Sequence, residues 1–186
     1  TYTLDFADFD ATDINHKTVS IWDGSYPAAN TGATFSGGDG SEANPYIIGS
    51  ATDFAQFAEN TRNNFQNYEF TYFKLDVDIN LNDKPWTPTK EFRGVFDGQH
   101  HKITGLKVSV ADEQVGLFGQ LSRTGRLSNL HVSGDVENTK PSEYDCAGGI
   151  CGDNAIGVIA NCSFSGSVRG AGKAGGIAGA CNGKII

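Results

Sequence analysis

Asp76 and Asp78 are the carboxylates whose spacing comes nearest to a catalytic pair. They lie in Phe73-Lys74-Leu75-Asp76-Val77-Asp78-Ile79-Asn80-Leu81. Apolar and polar residues alternate there, so one strand would present both acids on its outer face. A glycosidase needs two carboxyl groups about 5–10 Å apart over a groove; Asp97 or Asp112 from a neighbouring stretch would be the further candidates. The plainer reading is that Asp76 and Asp78 solvate a strand face and that Asp97 fixes the Asp97-Gly98 turn. No cluster of Arg or Lys suits a lyase enolate, and no Ser stands with a His and an Asp as a triad. The spacing Asp76-x-Asp78-x-Asn80 also fits the start of a calcium loop, but the sixth position is Leu81 instead of Gly. Asp5, Asp8, Asp10 and Asp13 lack both the Gly and the terminal Glu of such a loop and read as a solvated acidic segment. The expectation is therefore no cofactor, with structural calcium the lesser alternative.

Other chemistry-bearing residues are sparse. His100 and His101 are adjacent, so on a strand they would face opposite ways and could not chelate one metal; His101 reads as a corner residue. Trp22, Tyr26, Tyr46, Tyr72 and Trp86 would make a sugar-stacking platform if several shared one exposed face, but core or cap roles are the favoured reading for most of them. Asn161-Cys162-Ser163 fits the glycosylation sequon, though its place in a repeat points to structure. Cys146, Cys151, Cys162 and Cys181 show no paired zinc spacing and no dense disulfide framework. Cys162 reads as a small core hydrophobe, and a Cys146–Cys151 or Cys151–Cys181 bridge is left open.

The elements that would position these residues follow from composition and repetition. The chain has 186 residues, a net charge of −8, a pI near 4.8 and 24 glycines. That acidity argues against nucleic acid and against an anionic membrane surface, and no apolar run is long enough to insert into a bilayer. A Gly-aliphatic-any-Gly unit occurs three times: Gly116-Leu117-Phe118-Gly119, Gly149-Ile150-Cys151-Gly152 and Gly176-Ile177-Ala178-Gly179. The first glycines are 149 − 116 = 33 and 176 − 149 = 27 residues apart, a period that marks a stacked-repeat architecture. The runs that follow Gly116 and Gly149 match again, aligning Leu127 with Ile159, Leu130 with Cys162, Val136 with Val168 and Asn129 with Asn161. Such a unit buries its apolar face only by stacking on its neighbours. The expectation is an all-β, right-handed parallel β-helix in which like residues lie over like and the two asparagines join in an amide ladder. The glycines would sit where φ is positive or space is short. Residues 1–35 read as a non-repetitive lead-in, 36–186 as the β-helix, and Thr1 and the curtailed third repeat as signs of a longer protein. Ser50 and Asp53 form a capping signature ahead of Phe54, Phe57 and Ala58 at helical spacing, which predicts a helix over 51–62 covering the open end of the core.

These features together resemble the bacterial GLUG-motif domains of large secreted and cell-surface proteins. The resemblance runs over roughly residues 19–186. It includes Trp22-Asp23-Gly24, the segment from Gly38 to Tyr46, Trp86-Thr87-Pro88, Phe92-x-Gly94-x-Phe96-Asp97-Gly98 and His101-x-Ile103-x-Gly105-Leu106, besides the repeats. One departure is His100, where the family usually has Gly before the His. The resemblance implies a β-helical region of a surface protein, often adhesin-like, with no established catalytic residues. The expected function is thus a non-enzymatic extracellular or cell-surface domain, adhesin-like or a rigid stalk, meeting a glycan or protein. The alternative is a carbohydrate-active enzyme or carbohydrate-binding module on the same scaffold.

Overall fold

The computed structural model describes residues 19–30, 32, 35–64 and 68–186; the acidic stretch from Asp5 to Asp13 lies outside them. The chain is a β-solenoid of about 5 turns with one helix. Every strand pair is parallel, and strands from successive turns stack into four sheets. Sheet 1 stacks β1 (Ser20–Ile21), β4 (Ile79–Asn80), β7 (Lys102–Val110), β11 (His131–Asn138) and β15 (Ser163–Arg169). Sheet 2 runs through β2 (Tyr46–Ile48), β3 (Tyr72–Leu75), β6 (Val95–Asp97), β10 (Arg126–Ser128), β14 (Val158–Ala160) and β18 (Lys184–Ile185). Sheet 3 holds β8 (Gln114–Val115), β12 (Cys146–Gly148) and β16 (Lys173–Gly175); sheet 4 holds β5 (Thr89–Phe92), β9 (Phe118–Leu121), β13 (Cys151–Asn154) and β17 (Ala178–Cys181). A full turn passes from sheet 3 through 4 and 2 to 1.

The stacking follows the sequence repeat. Leu127 pairs with Ile159 and Val136 with Val168. Phe73, Phe96, Leu127, Ile159 and Ile185 form one inward file, aromatic at the first turns and aliphatic at the last. Asn161 Nδ2 donates to Asn129 Oδ1 at 2.8 Å, and Asn129 Nδ2 donates to Asp97 Oδ1 at 2.9 Å. Both asparagines sit at positive φ, 52° and 50°, which Asn tolerates better than most residues. His100 has φ 62° at the equivalent corner one turn earlier.

One expectation changes. The alternating run 73–81 is two strands, because residues 76–78 form a corner between sheets 2 and 1; inward and outward side chains keep alternating through the bend. The Asp97-Gly98 turn stands between two strands, β6 and β7, and makes a corner between sheets 2 and 1. The lead-in already joins the solenoid: β1 pairs with β4, and Trp22 is fully inside. No disulfide joins the cysteines, and Cys162 is half-buried against the core beside Phe164.

The helix, α1 (Ala51–Asn64), runs slightly past its expected end. Ser50 Oγ accepts the Asp53 amide at 3.0 Å, and Asp53 Oδ2 accepts the Gly49 amide at 3.0 Å, a capping box displaced by one residue. Its apolar face closes the first turns: Phe54, Ala55, Phe57 and Ala58 are wholly buried, and α1 packs on β5, the edge of sheet 4. Ser50→Ala should cost about 1 kcal/mol, measurable as a shift in the urea midpoint.

The Gly-aliphatic-any-Gly unit occupies the corner from sheet 3 to sheet 4. Leu117 and Ile150 are wholly buried, and Ile177 is half-buried on the last turn. None of the unit's glycines has positive φ; space is the constraint. A Cβ on Gly152 would lie 2.4 Å from Val115 N, one on Gly179 2.6 Å from Ala147 N, and one on Gly119 2.4 Å from Thr89 O. Gly116 and Gly149 are equally crowded, whereas a Cβ on Gly176 would meet nothing within 4 Å.

Candidate functional site: the corner between sheets 3 and 4

The aromatic residues do not form an exposed platform. Trp22 and Trp86 are each 1% exposed. Their rings meet edge to face at 5.2 Å, and Phe54 stacks on Trp86 at 5.1 Å. The indole N–H of Trp22 donates to Ser25 O at 2.8 Å, which satisfies its polar end inside the cap. Tyr26 is half-buried with the Arg62 guanidinium 4.4 Å above its ring, and its hydroxyl oxygen accepts the Thr87 amide at 2.8 Å. Tyr46 lies half-buried between Phe35 and Phe73. These rings hold the first turns together.

Asp76 and Asp78 lie at a corner, not side by side on one strand face. Asp76 is exposed. Asp78 Oδ1 meets His101 Nδ1 at 2.8 Å and accepts the Lys102 amide at 3.0 Å. Burial raises its pKa, but the bonds from Lys102 and His101 outweigh that and hold it below the usual carboxylate value. Asn80 Oδ1 accepts the Asn82 amide at 2.7 Å, so Asn80, like Asp78, serves the backbone. Among the described residues no three His, Cys, Asp or Glu side chains converge on one point.

The fold does bring together a set of polar side chains of which the sequence singled out only Asp112 and Cys146. Glu91, Gln120 and Asp153 stack in register on the outer face of sheet 4. Gln114, Cys146 and Lys173 do the same on sheet 3. The glycine corner draws these two files toward each other. Between them lies a cleft of about 240 Å³ lined by Arg62, Lys90, Glu91, Asp112, Gln114 and Gln120, among others. A second, of about 300 Å³, includes Gln114, Tyr144, Asp145, Asp153 and Lys173. Lys90 Nζ bridges the walls to Asp112 Oδ2 at 2.7 Å. The available signal was position: Gln120 and Asp153 each follow a repeat unit's second glycine directly, and Gln114 stands two residues before the first unit.

Glu91 is the most constrained acid of the corner. Arg93 Nε and Nη2 each donate to it at 2.9 Å, and the Ser122 hydroxyl also donates. Burial raises its pKa, but these bonds and the Arg93 charge outweigh that, leaving it below 4.5. Asp112 is lowered likewise, burial being outweighed by Lys90 and the Glu113 amide. Two carboxylates held ionised are poorly suited to the proton-donor role in glycoside cleavage, which needs a raised pKa. A depressed folded pKa stabilises the fold above the unfolded value and ceases to do so as pH falls through the folded one. Glu91→Gln should therefore cost about 2 kcal/mol at pH 7, and the stability that the parent is expected to lose as pH falls below 4.5 should flatten in the variant, as urea titrations at a series of pH values would measure.

No protein-family model matches the chain. It is 30% identical over 141 residues to a protein of Evansella cellulosilytica provisionally named a Gly-rich membrane protein, covering 70% of this chain and 16% of that one. It is 28% identical over 177 residues to halomucin of Haloquadratum walsbyi, covering 85% of this chain and 2% of that one. The chain thus spans a small fraction of either relative. A crystal structure from Bacteroides ovatus, provisionally described as an immunoglobulin A1 protease, aligns over 87% of this chain and 68% of its own, with a TM-score of 0.46 and 22% identity. At that level its name says nothing about this chain. No helix among the described residues is long and apolar enough to cross a membrane.

Proposed function

We propose that the chain is a non-enzymatic, extracellular segment of a large surface protein: a stiff, adhesin-like stalk whose corners and rim loops meet a glycan or protein. The observation that carries this reading is the parallel stacking, in which sheets 1 and 2 run from the first turn to the last two, sheets 3 and 4 join from the middle turns, and one core runs through the stack. A rod of stacked turns resists bending because each turn is held by backbone hydrogen bonds and by side chains packed above and below. Supporting it, Asp78, Glu91 and Asp112 are tied to bases or backbone amides. The relatives, one named a membrane protein, are many times longer than the matched segment. The same reading assigns the chain to the GLUG-motif domains. The test is to screen the purified chain against polysaccharides for both retention and new reducing ends. Retention without product is expected. Product release that Asp76→Ala, Asp78→Ala or Glu91→Gln abolishes would overturn the proposal.

A further inference from the structure

The two clefts beside the glycine corner share Gln114 and lie end to end along the solenoid axis. They follow sheet 4 from β5 to β17, four strands spaced about 4.8 Å apart, which gives a groove roughly 14 Å long. From its shape and lining we infer that this groove binds a neutral glycan strand laid parallel to the axis. The inference names a ligand class and a site for the surface role proposed above, and rests on that reading.

The lining has the chemistry of hydroxyl recognition. Gln114, Gln120 and Asn182 offer amides, which both donate and accept, and the carboxylates accept only. Two acceptor oxygens of the second cleft are buried without a hydrogen-bond donor, Asp153 Oδ1 and Asp145 Oδ2. Gln120 Nε2 occupies the other oxygen of Asp153 at 3.1 Å. Asp145 Oδ2 meets the Lys140 ammonium at 3.3 Å as an ion pair, but no donor is aligned on it. These carboxylates are turned into the wall, so the hydroxyls of a neutral ligand would meet chiefly the amides of Gln114 and Asn182, which donate and accept without bringing charge.

Charge narrows the class further. In the first cleft Arg62 and Lys90 balance Glu91 and Asp112; in the second, Glu113, Asp145 and Asp153 outnumber the lining Lys173 and the Lys140 that pairs with Asp145. With −8 on the whole chain as well, a uronate or sulfated polymer would meet like charge at the second cleft. The rim also has an apolar surface to offer: Tyr144 is 80% exposed beside the second cleft, and the C–H face of a sugar ring packs well against such a ring.

Binding would be measured by calorimetry and affinity electrophoresis against a panel of neutral hexose polymers, a polyuronate and a basic polypeptide. The expected result is binding to at least one neutral polymer and none to the polyuronate. Tyr144→Ala and Gln120→Ala should each weaken that binding about tenfold, Tyr144→Ala with melting unchanged and Gln120→Ala with circular dichroism unchanged and a slightly lower melting point, because Asp153 loses its donor. The inference is overturned if no neutral polymer binds, if only the polyuronate or the polypeptide binds, or if both variants bind as the parent does. The absence of binding would remove the groove assignment and leave the stalk reading standing. Release of sugar products would remove the stalk reading itself.

Discussion

Gly152→Ala should lower the unfolding free energy by about 3 kcal/mol or more, whereas Gly176→Ala should stay within about 0.5 kcal/mol of the parent. The two glycines occupy different positions in successive copies of one unit, and neither has positive φ. They differ in surroundings. A Cβ at Gly152 would stand 2.4 Å from Val115 N and 2.7 Å from both Gln114 C and Gly119 O, while at Gly176 it would meet nothing within 4 Å. The obstacles at Gly152 are backbone atoms of the preceding turn, tied into sheets 3 and 4, and cannot rotate away as a side chain would. Urea denaturation of the two variants in parallel separates crowding from chain entropy, since both substitutions remove the same glycine freedom from the unfolded chain. Equal stabilities would mean that the corner is looser than described.

The second large effect is expected at the other end. Phe57→Ala should cost about 4 kcal/mol. Phe57 is wholly buried and its ring lies 4.9 Å from Phe73, 5.4 Å from Phe96 and 5.5 Å from Phe92, linking α1 to sheets 2 and 4. Truncation would leave a void no neighbour can fill, because those rings are fixed on strands. It would also loosen α1 from β5, the edge strand it covers. Amide exchange should show this directly, with β5 and β3 losing protection before β11, since a stacked-turn protein opens from its ends. Uniform loss of protection along the chain would count against the helix as a separate cap.

The repeat made much of this fold legible. Residues at equal offsets in two copies occupy the same rung, so Leu127 over Ile159 and Asn129 over Asn161 could be read before any coordinates. Corners were harder. At Leu75-Asp76-Val77-Asp78-Ile79 the inward–outward alternation continues while the chain leaves one sheet for another, so periodicity alone reports one strand. The Trp22 and Trp86 rings could not be sorted from exposed ones, because burial there depends on α1 and β1 meeting over the first turns. The groove was hidden for a different reason. Glu91, Gln120 and Asp153 share a rung position but no residue type, and a search for like residues passes over them.

The two periods, 33 and 27 residues, differ by 33 − 27 = 6. Between the paired rungs Glu137/Arg169 and Cys146/Lys173 the chain spans residues 138–145 in one turn and 170–172 in the next, which removes 8 − 3 = 5 of them. Sheet register is the same on both sides of that change. This connection is therefore a splice point: chain can be added or withdrawn there without a rung moving. Tyr144 stands in it, at the groove's edge, so lineages or designs that alter this one loop would change what the rod grips while keeping the rod.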